Sequence, residues 1–286
     1  MTKTFITGLL LAGFAAATAH AQSPAPAEPD IVGVRLSTKP ADLVPALHKQ
    51  FPKMKSEWDD YTLSAGATEV HFRHSFHATL EVHLAPNERQ MPVGQSHFYA
   101  NILSDNTVVG LRREVTFNPV RQTMQPLVDS LIAKYGQPVF NNYGGDQAMI
   151  TLLWSDRMAP GLRNANAPAT SSIGATPYYK CEVALAQYAA PSYNAKDLYV
   201  SLLSPGTQGY QTLQQAKECG TVVEAQISPA SQSKAYANSL TVTVANLADA
   251  ADHIARLGNE LVTRDAQNTA KKQKAELIVM ASHGRR

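Results

Sequence analysis

The chain has 286 residues, 44% of them apolar and 17% charged, with a formal net charge of +2. That apolar share supports a buried core and excludes wholesale disorder, while the low charge argues against a nucleic-acid-binding domain. No uninterrupted apolar run reaches the roughly 18 to 20 residues of a bilayer span, so no transmembrane segment is expected.

Met1-Thr2-Lys3 gives a short basic start, Thr4 to Thr18 is rich in Leu, Ala and Gly, and Ala19-His20-Ala21 supplies a small-residue cleavage site. These are the three parts of a secretory signal peptide. Residues 1–21 are therefore expected to be removed after Ala21, leaving a periplasmic or secreted protein. No cysteine lies near that site, so no lipid anchor is expected. Residues 22–30 read as a Pro/Ala-rich spacer.

Ile31 to Leu36 is a short β-type run. Ser37-Thr38-Lys39-Pro40 then signals a helix start, with Leu43, Leu47 and Phe51 at four-residue spacing and Pro52 as the stop. Glu69 to Leu84 alternates with period two and predicts a strand or hairpin, apolar on the side of Val70, Phe72, Phe76, Leu80, Val82 and Leu84. His97 to Leu103 and Thr107 to Phe117 are two further strands, with Ser104-Asp105-Asn106 as the turn. A second helix is predicted from Asn118 as cap and Pro119 as first residue, with Val120, Met124, Leu127, Leu131 and Tyr135 as its stripe. Gly136 and Pro138 end it.

The strands predicted next are Ala148 to Trp154, Tyr178 to Tyr188, Leu198 to Leu203, Thr221 to Ile227 and Ser239 to Ala245. Ala159 to Pro177 reads as a surface loop. Asn246 caps a final helix with Leu247, Ala251, Ile254, Leu257 and Leu261 on one face, followed by a polar, basic tail carrying Lys271, Lys272 and Lys274. The expected fold is α+β: two helix-plus-antiparallel-sheet units over residues 31–117 and 118–246, read as an internal duplication, with a C-terminal helix and tail over 247–286. Cys181 and Cys219, the only cysteines, are expected to form a structural disulfide in an oxidising compartment.

Catalytic signals are sparse. There is no nucleophile elbow and no H-E-x-x-H. A metal site would draw on His71, His77, Glu81, His83 and His97, the first four on one face of the alternating strand. His71 and His77 would lie about 20 Å apart there, too far for one ion with bonds of about 2 Å. The bland reading is the polar face of a half-exposed sheet. Trp58 and Trp154 read as core residues.

Gly33-Val34-Arg35-Leu36 with the helix to Phe51-Pro52, Val108-Val109-Gly110-Leu111-Arg112-Arg113, and Leu131-Ile132-Ala133-Lys134-Tyr135-Gly136-Gln137-Pro138 resemble a group of bacterial exported proteins. Their N-terminal pattern is similar to the small outer-membrane-assembly lipoprotein BamE and its relatives. Cys219-Gly220 and Leu240-Thr241-Val242-Thr243-Val244 look like the same group. The resemblance covers residues 31–255 and implies an α/β fold, though the lipid-anchor cysteine is lacking. Ala275 to Arg286 is similar to the universal stress protein segment before the ATP-phosphate loop, where a strand delivers phosphate-binding glycines; Gly284 matches one of them. With the rest of that loop missing, the twelve residues imply chance or a relic, and no cofactor is expected.

The function expected from these readings is non-enzymatic binding of a protein or cell-envelope component. The alternative is an exported hydrolase or metal-dependent enzyme using the His-bearing strand face.

Overall fold

The computed structural model describes residues 28–65, 68–82, 94–117, 122–143, 149–158, 178–188, 203, 206–231 and 233–283. A small hairpin comes first, β1 (Asp30–Ile31) against β2 (Val34–Arg35). Its two-residue turn places Val32 at φ 49° and Gly33 at φ 79°, and the Gly33 amide donates to Asp30 Oδ1 at 2.8 Å. Positive φ at both central positions matches the twist of a hairpin, and glycine adopts it without Cβ strain.

Helix α1 (Pro40–His48) starts with proline at its first turn and buries Leu43 and Leu47. Pro45 lies on its exposed outer side, where it opposes no packing. Strands β3 (Lys55–Ala65), β4 (Thr68–Val82), β5 (Gly94–Ile102) and β6 (Val108–Thr116) form an antiparallel meander. Sequence periodicity did not announce β3. As a sheet edge it keeps Lys55, Glu57, Asp59 and Asp60 exposed, so it carries little apolar alternation.

Helix α2 (Met124–Tyr135) buries Met124, Val128, Leu131 and Tyr135. It does not begin at Asn118. The Gln122 carbonyl accepts from the Ala237 amide at 2.9 Å and Thr123 bridges Tyr236, which keeps the backbone extended up to the N-cap. Residues 118–121 themselves lie outside the described residues.

A second meander follows, of β7 (Phe140–Asn141), β8 (Ile150–Ser155), β9 (Thr221–Ala230) and β10 (Ser233–Asn246). Between β8 and β9 come α3 (Tyr179–Tyr188), α4 (Gln208–Ala216) and a 3-10 turn (Lys217–Cys219). The predicted strand Tyr178 to Tyr188 is thus a helix. Its buried residues Tyr178, Cys181, Ala184, Leu185 and Tyr188 recur at three and four, the helical period, although Tyr, Cys and Val are β-favouring by composition. The predicted strand Leu198 to Leu203, apart from Leu203, the loop Ala159 to Pro177, and residues 1–27 lie outside the described residues.

One eight-stranded sheet results, in the order β3-β4-β5-β6-β10-β9-β8-β7. The two meanders meet where β6 pairs antiparallel with β10, from Ser239 opposite Thr116 to Ala245 opposite Gly110. The α+β class is therefore as expected, two helix-plus-antiparallel-sheet halves sharing one sheet. On the first face, α1, α2 and the hairpin cover Phe76, Phe98, Leu111, Val244, Ile227 and Leu152. On the second, α3, α4 and α5 (Leu247–His283) cover Val109, Leu153, Val222 and Ala245.

Asn246 caps α5 by accepting from the Asp249 amide at 3.0 Å. The helix then runs without a break through residues 275–283, where the stress-protein resemblance would require a strand.

Candidate functional site

Alternation sends the larger apolar side chains of the central strands to the first face, with Ser96 and Arg113 among them, while the second face carries polar residues beside the apolar ones covered by α3 to α5. Register aligns these polar residues in two rows across the strands. One row runs Glu57, His77, Tyr99, Arg112, Thr243, Glu224. The other runs Lys55, Thr79, His97, Glu114, Thr241, Gln226, Thr151. With strands about 4.8 Å apart, the rows make a polar floor roughly 25 Å wide. Its middle is half-buried: Arg112 and Glu114 side chains are 22% and 32% exposed.

At one end, His77 and Tyr99 stack with ring centroids 5.1 Å apart and planes within 6°. The His97 ring lies 6.1 Å from that of His77, and its buried Nδ1 has no hydrogen-bond partner. In the middle, Arg112 Nε donates to Glu114 Oε1 at 2.8 Å. At the far end Glu224 is only 5% exposed, and its Oε1 has no partner. Burial pushes its carboxyl up to about 7; the Gln226 side chain and Arg112 oppose the rise, and Glu182 of α3 adds to it. Glu182 is itself raised by burial.

Helix α3 forms a wall beside this floor, tied down by Asn101 Nδ2 donating to the Tyr188 carbonyl at 2.5 Å. At its other end, Cys181 and Cys219 lie at disulfide distance, 2.07 Å between sulfurs.

Of the metal-ligand candidates, the fold brings His77 and His97 together. Position 71 falls out of phase with 77, because the β3–β4 register shifts between Asp59 and Asp60. His83 lies outside the described residues, as do the side chains of His71 and Glu81. Among the described residues no group of three His, Cys, Asp or Glu converges on one point.

Tyr99, Arg112, Glu114, Glu182 and Glu224 escaped sequence reasoning. Their signal was present, since Arg112/Glu114, Glu224/Gln226 and Thr241/Thr243 are polar pairs two residues apart inside apolar strands.

A second constellation joins the β5–β6 turn to α5. Ser104 Oγ lies 3.1 Å from His253 Nε2, and Asp105 Oδ2 lies 3.3 Å from Nδ1. Burial lowers the His253 imidazole against the pull of Asp105, which favours the neutral ring. The ring is 6% exposed and clamped by adjacent residues of one turn, which fits a tether of turn to helix. A separate cleft of about 730 Å³, lined by Lys39, Pro40, Ala41, Trp58, Asp60 and Asn106, opens beside α1 and shares no residue with either cluster.

No family model, curated protein or solved structure matches the chain.

Proposed function

We propose that this is an exported protein, periplasmic or secreted, that binds a protein or cell-envelope component through the second face of its sheet and performs no chemistry on it. The observation that carries the reading is the polar floor itself. Stacked rings, an Arg–Glu pair and a carboxyl with an unpartnered oxygen stand side by side on rigid strands, and part of that surface is open. The half-exposed members of the floor, His77, Arg112 and Glu114, keep charged and polar groups within reach of an incoming partner. The signal-peptide pattern supports export, and a cysteine pair at bonding distance suits an oxidising compartment. The resemblance to exported envelope proteins points the same way.

The test is photo-crosslinking in intact cells from benzoylphenylalanine placed at Tyr99, with exposed Tyr236 as the control position. A discrete adduct from position 99, absent at 236 and lost with Arg112→Ala, is expected. Equal labelling at both positions, or none, overturns the reading.

One observation favours a second reading, an exported hydrolase. Glu224 near 7 beside half-buried Glu182 is a carboxyl poised for general acid–base work. A measurable hydrolysis abolished by Glu224→Gln without unfolding would replace binding by catalysis. For the metal-dependent form of that reading, metal bound by the purified chain should be lost with His77→Ala and His97→Ala together.

A further inference from the structure

We infer that the cleft beside α1 is a binding site for a neutral sugar, separate from the polar floor. Its volume of about 730 Å³ lies within the range of small-molecule pockets, roughly 300 to 1,000 Å³. Three elements build it. Strand β3 brings Trp58 and Asp60, the β5–β6 turn brings Asn106, and the start of α1 brings Lys39, Pro40 and Ala41. Trp58 stands opposite Phe76 in the register, on the first face, whereas Glu57 of the polar floor stands opposite His77 on the second.

Trp58 supplies the aromatic wall. Its ring centroid is 4.7 Å from that of Phe76, with the planes 58° apart, so the half-buried indole is braced on the core while it lines the cleft. An apolar plane held in place before a ligand arrives costs little ordering on binding. Pro40 and Ala41 add apolar surface to it. Three polar side chains share the cleft, and Lys39, Asp60 and Asn106 are all exposed. The Asp60 carboxylate accepts hydrogen bonds, the Lys39 ammonium donates them, and the Asn106 amide does both. Asn106 stands at φ 63° in a turn closed by its own N–H on the Leu103 carbonyl at 2.9 Å, which fixes where its side chain leaves the backbone.

This combination selects a ligand by its chemistry. A phosphate or carboxylate would meet Asp60 in the same cleft, and Pro40, the first residue of α1, offers it no N–H. A cation would meet Lys39. An acyl chain would strip water from three polar side chains and return no hydrogen bond. A sugar ring has an apolar C–H face for the indole and a rim of hydroxyls that both donate and accept, so it meets every group present. The site stands whether or not the sheet face binds a partner.

The test is tryptophan fluorescence of the full chain, titrated with cellotriose, maltotriose and triacetylchitotriose in turn, and with the peptide Gly-Ser-Gly for comparison. Of the two tryptophans, Trp154 is 6% exposed and donates to the Gly136 carbonyl at 2.8 Å, so it reports little. A saturable blue shift with at least one sugar is expected, kept in Trp154→Phe and lost in Trp58→Phe. By calorimetry, Asp60→Asn should weaken binding about ten-fold or more, and Asn106→Gly, which tolerates the positive φ, by a few-fold. Asn106→Gly should keep the thermal transition of the wild type, so its loss of binding is not a loss of fold. No shift with any of the three sugars, or binding indifferent to both Asp60→Asn and Asn106→Gly, overturns the inference. So does an equal response to the peptide, which would mark the cleft as a peptide site.

Discussion

Glu224 ties the polar face to stability. Its folded-state pKa of about 7 lies above the ordinary 4.5, so between those values the folded protein holds a proton that the unfolded chain has released. The linkage sign is then negative, and stability falls as pH rises through that window. We expect Glu224→Gln to remove this term. Relative to wild type the variant should gain on the order of 3 kcal/mol between pH 5 and pH 8, measured by urea unfolding at both. Taking the difference between the two proteins cancels the contributions of His253, Asp30 and Asp105. A flat difference would show that the carboxyl is solvated.

Gly220, between the 3-10 turn and β9, is the second residue to test. It sits at φ 65°, and a Cβ there would collide with Asp156 Oδ1, which accepts the Thr221 amide at 2.9 Å. Gly220→Ala should cost about 1–3 kcal/mol, read as a lowered unfolding midpoint.

At the scale of elements, α3 depends most on long-range ties. It is joined to the 3-10 turn through Cys181 and Cys219, 38 residues apart, and to β5 through Asn101. In the chain-entropy picture, closing a loop of that length contributes roughly 3 to 4 kcal/mol. Cys181→Ala with Cys219→Ala should lose about that much, and the wild type in reductant should approach the double variant in a thermal scan. Because α3 is the wall of the polar floor, hydrogen exchange of its amides should rise more than that of α2. Equal exchange would show that packing of Tyr178, Leu185 and Tyr188 holds the helix without the crosslink.

The whole molecule is decided by one seam. β6 and β10 pair over seven positions, from Thr116 with Ser239 to Gly110 with Ala245, and this joins the two meanders into one sheet. Separation would leave two long unpaired edges, and such edges invite aggregation. Residues 28–121 expressed alone should therefore elute as aggregate or lack a cooperative transition, while the intact chain should unfold its sheet in one step. A soluble, cooperative first half would show that the halves are independent domains.

The sequence by itself determined the local elements with strong periodicity or punctuation: α1 after Pro40, the alternation of β4 from Ser75 onward, the stripe of α2, and α5 behind Asn246; the single face expected for Val70, Phe72 and Phe76 is broken by the register shift opposite Asp59 and Asp60. The sequence also paired the cysteines, since only two exist. These features rest on neighbours a few residues apart, where period, caps and breakers act directly. Elements set by distant partners were not legible. β3 exists because β4 pairs with it, α2 starts late because β10 holds Gln122 and Thr123, and α3 is helical because its stripe packs under β7 to β9. The polar floor belongs to this second kind. His77, Tyr99, Arg112 and Glu224 lie far apart in sequence, and only strand order and register bring them side by side at about 4.8 Å per strand.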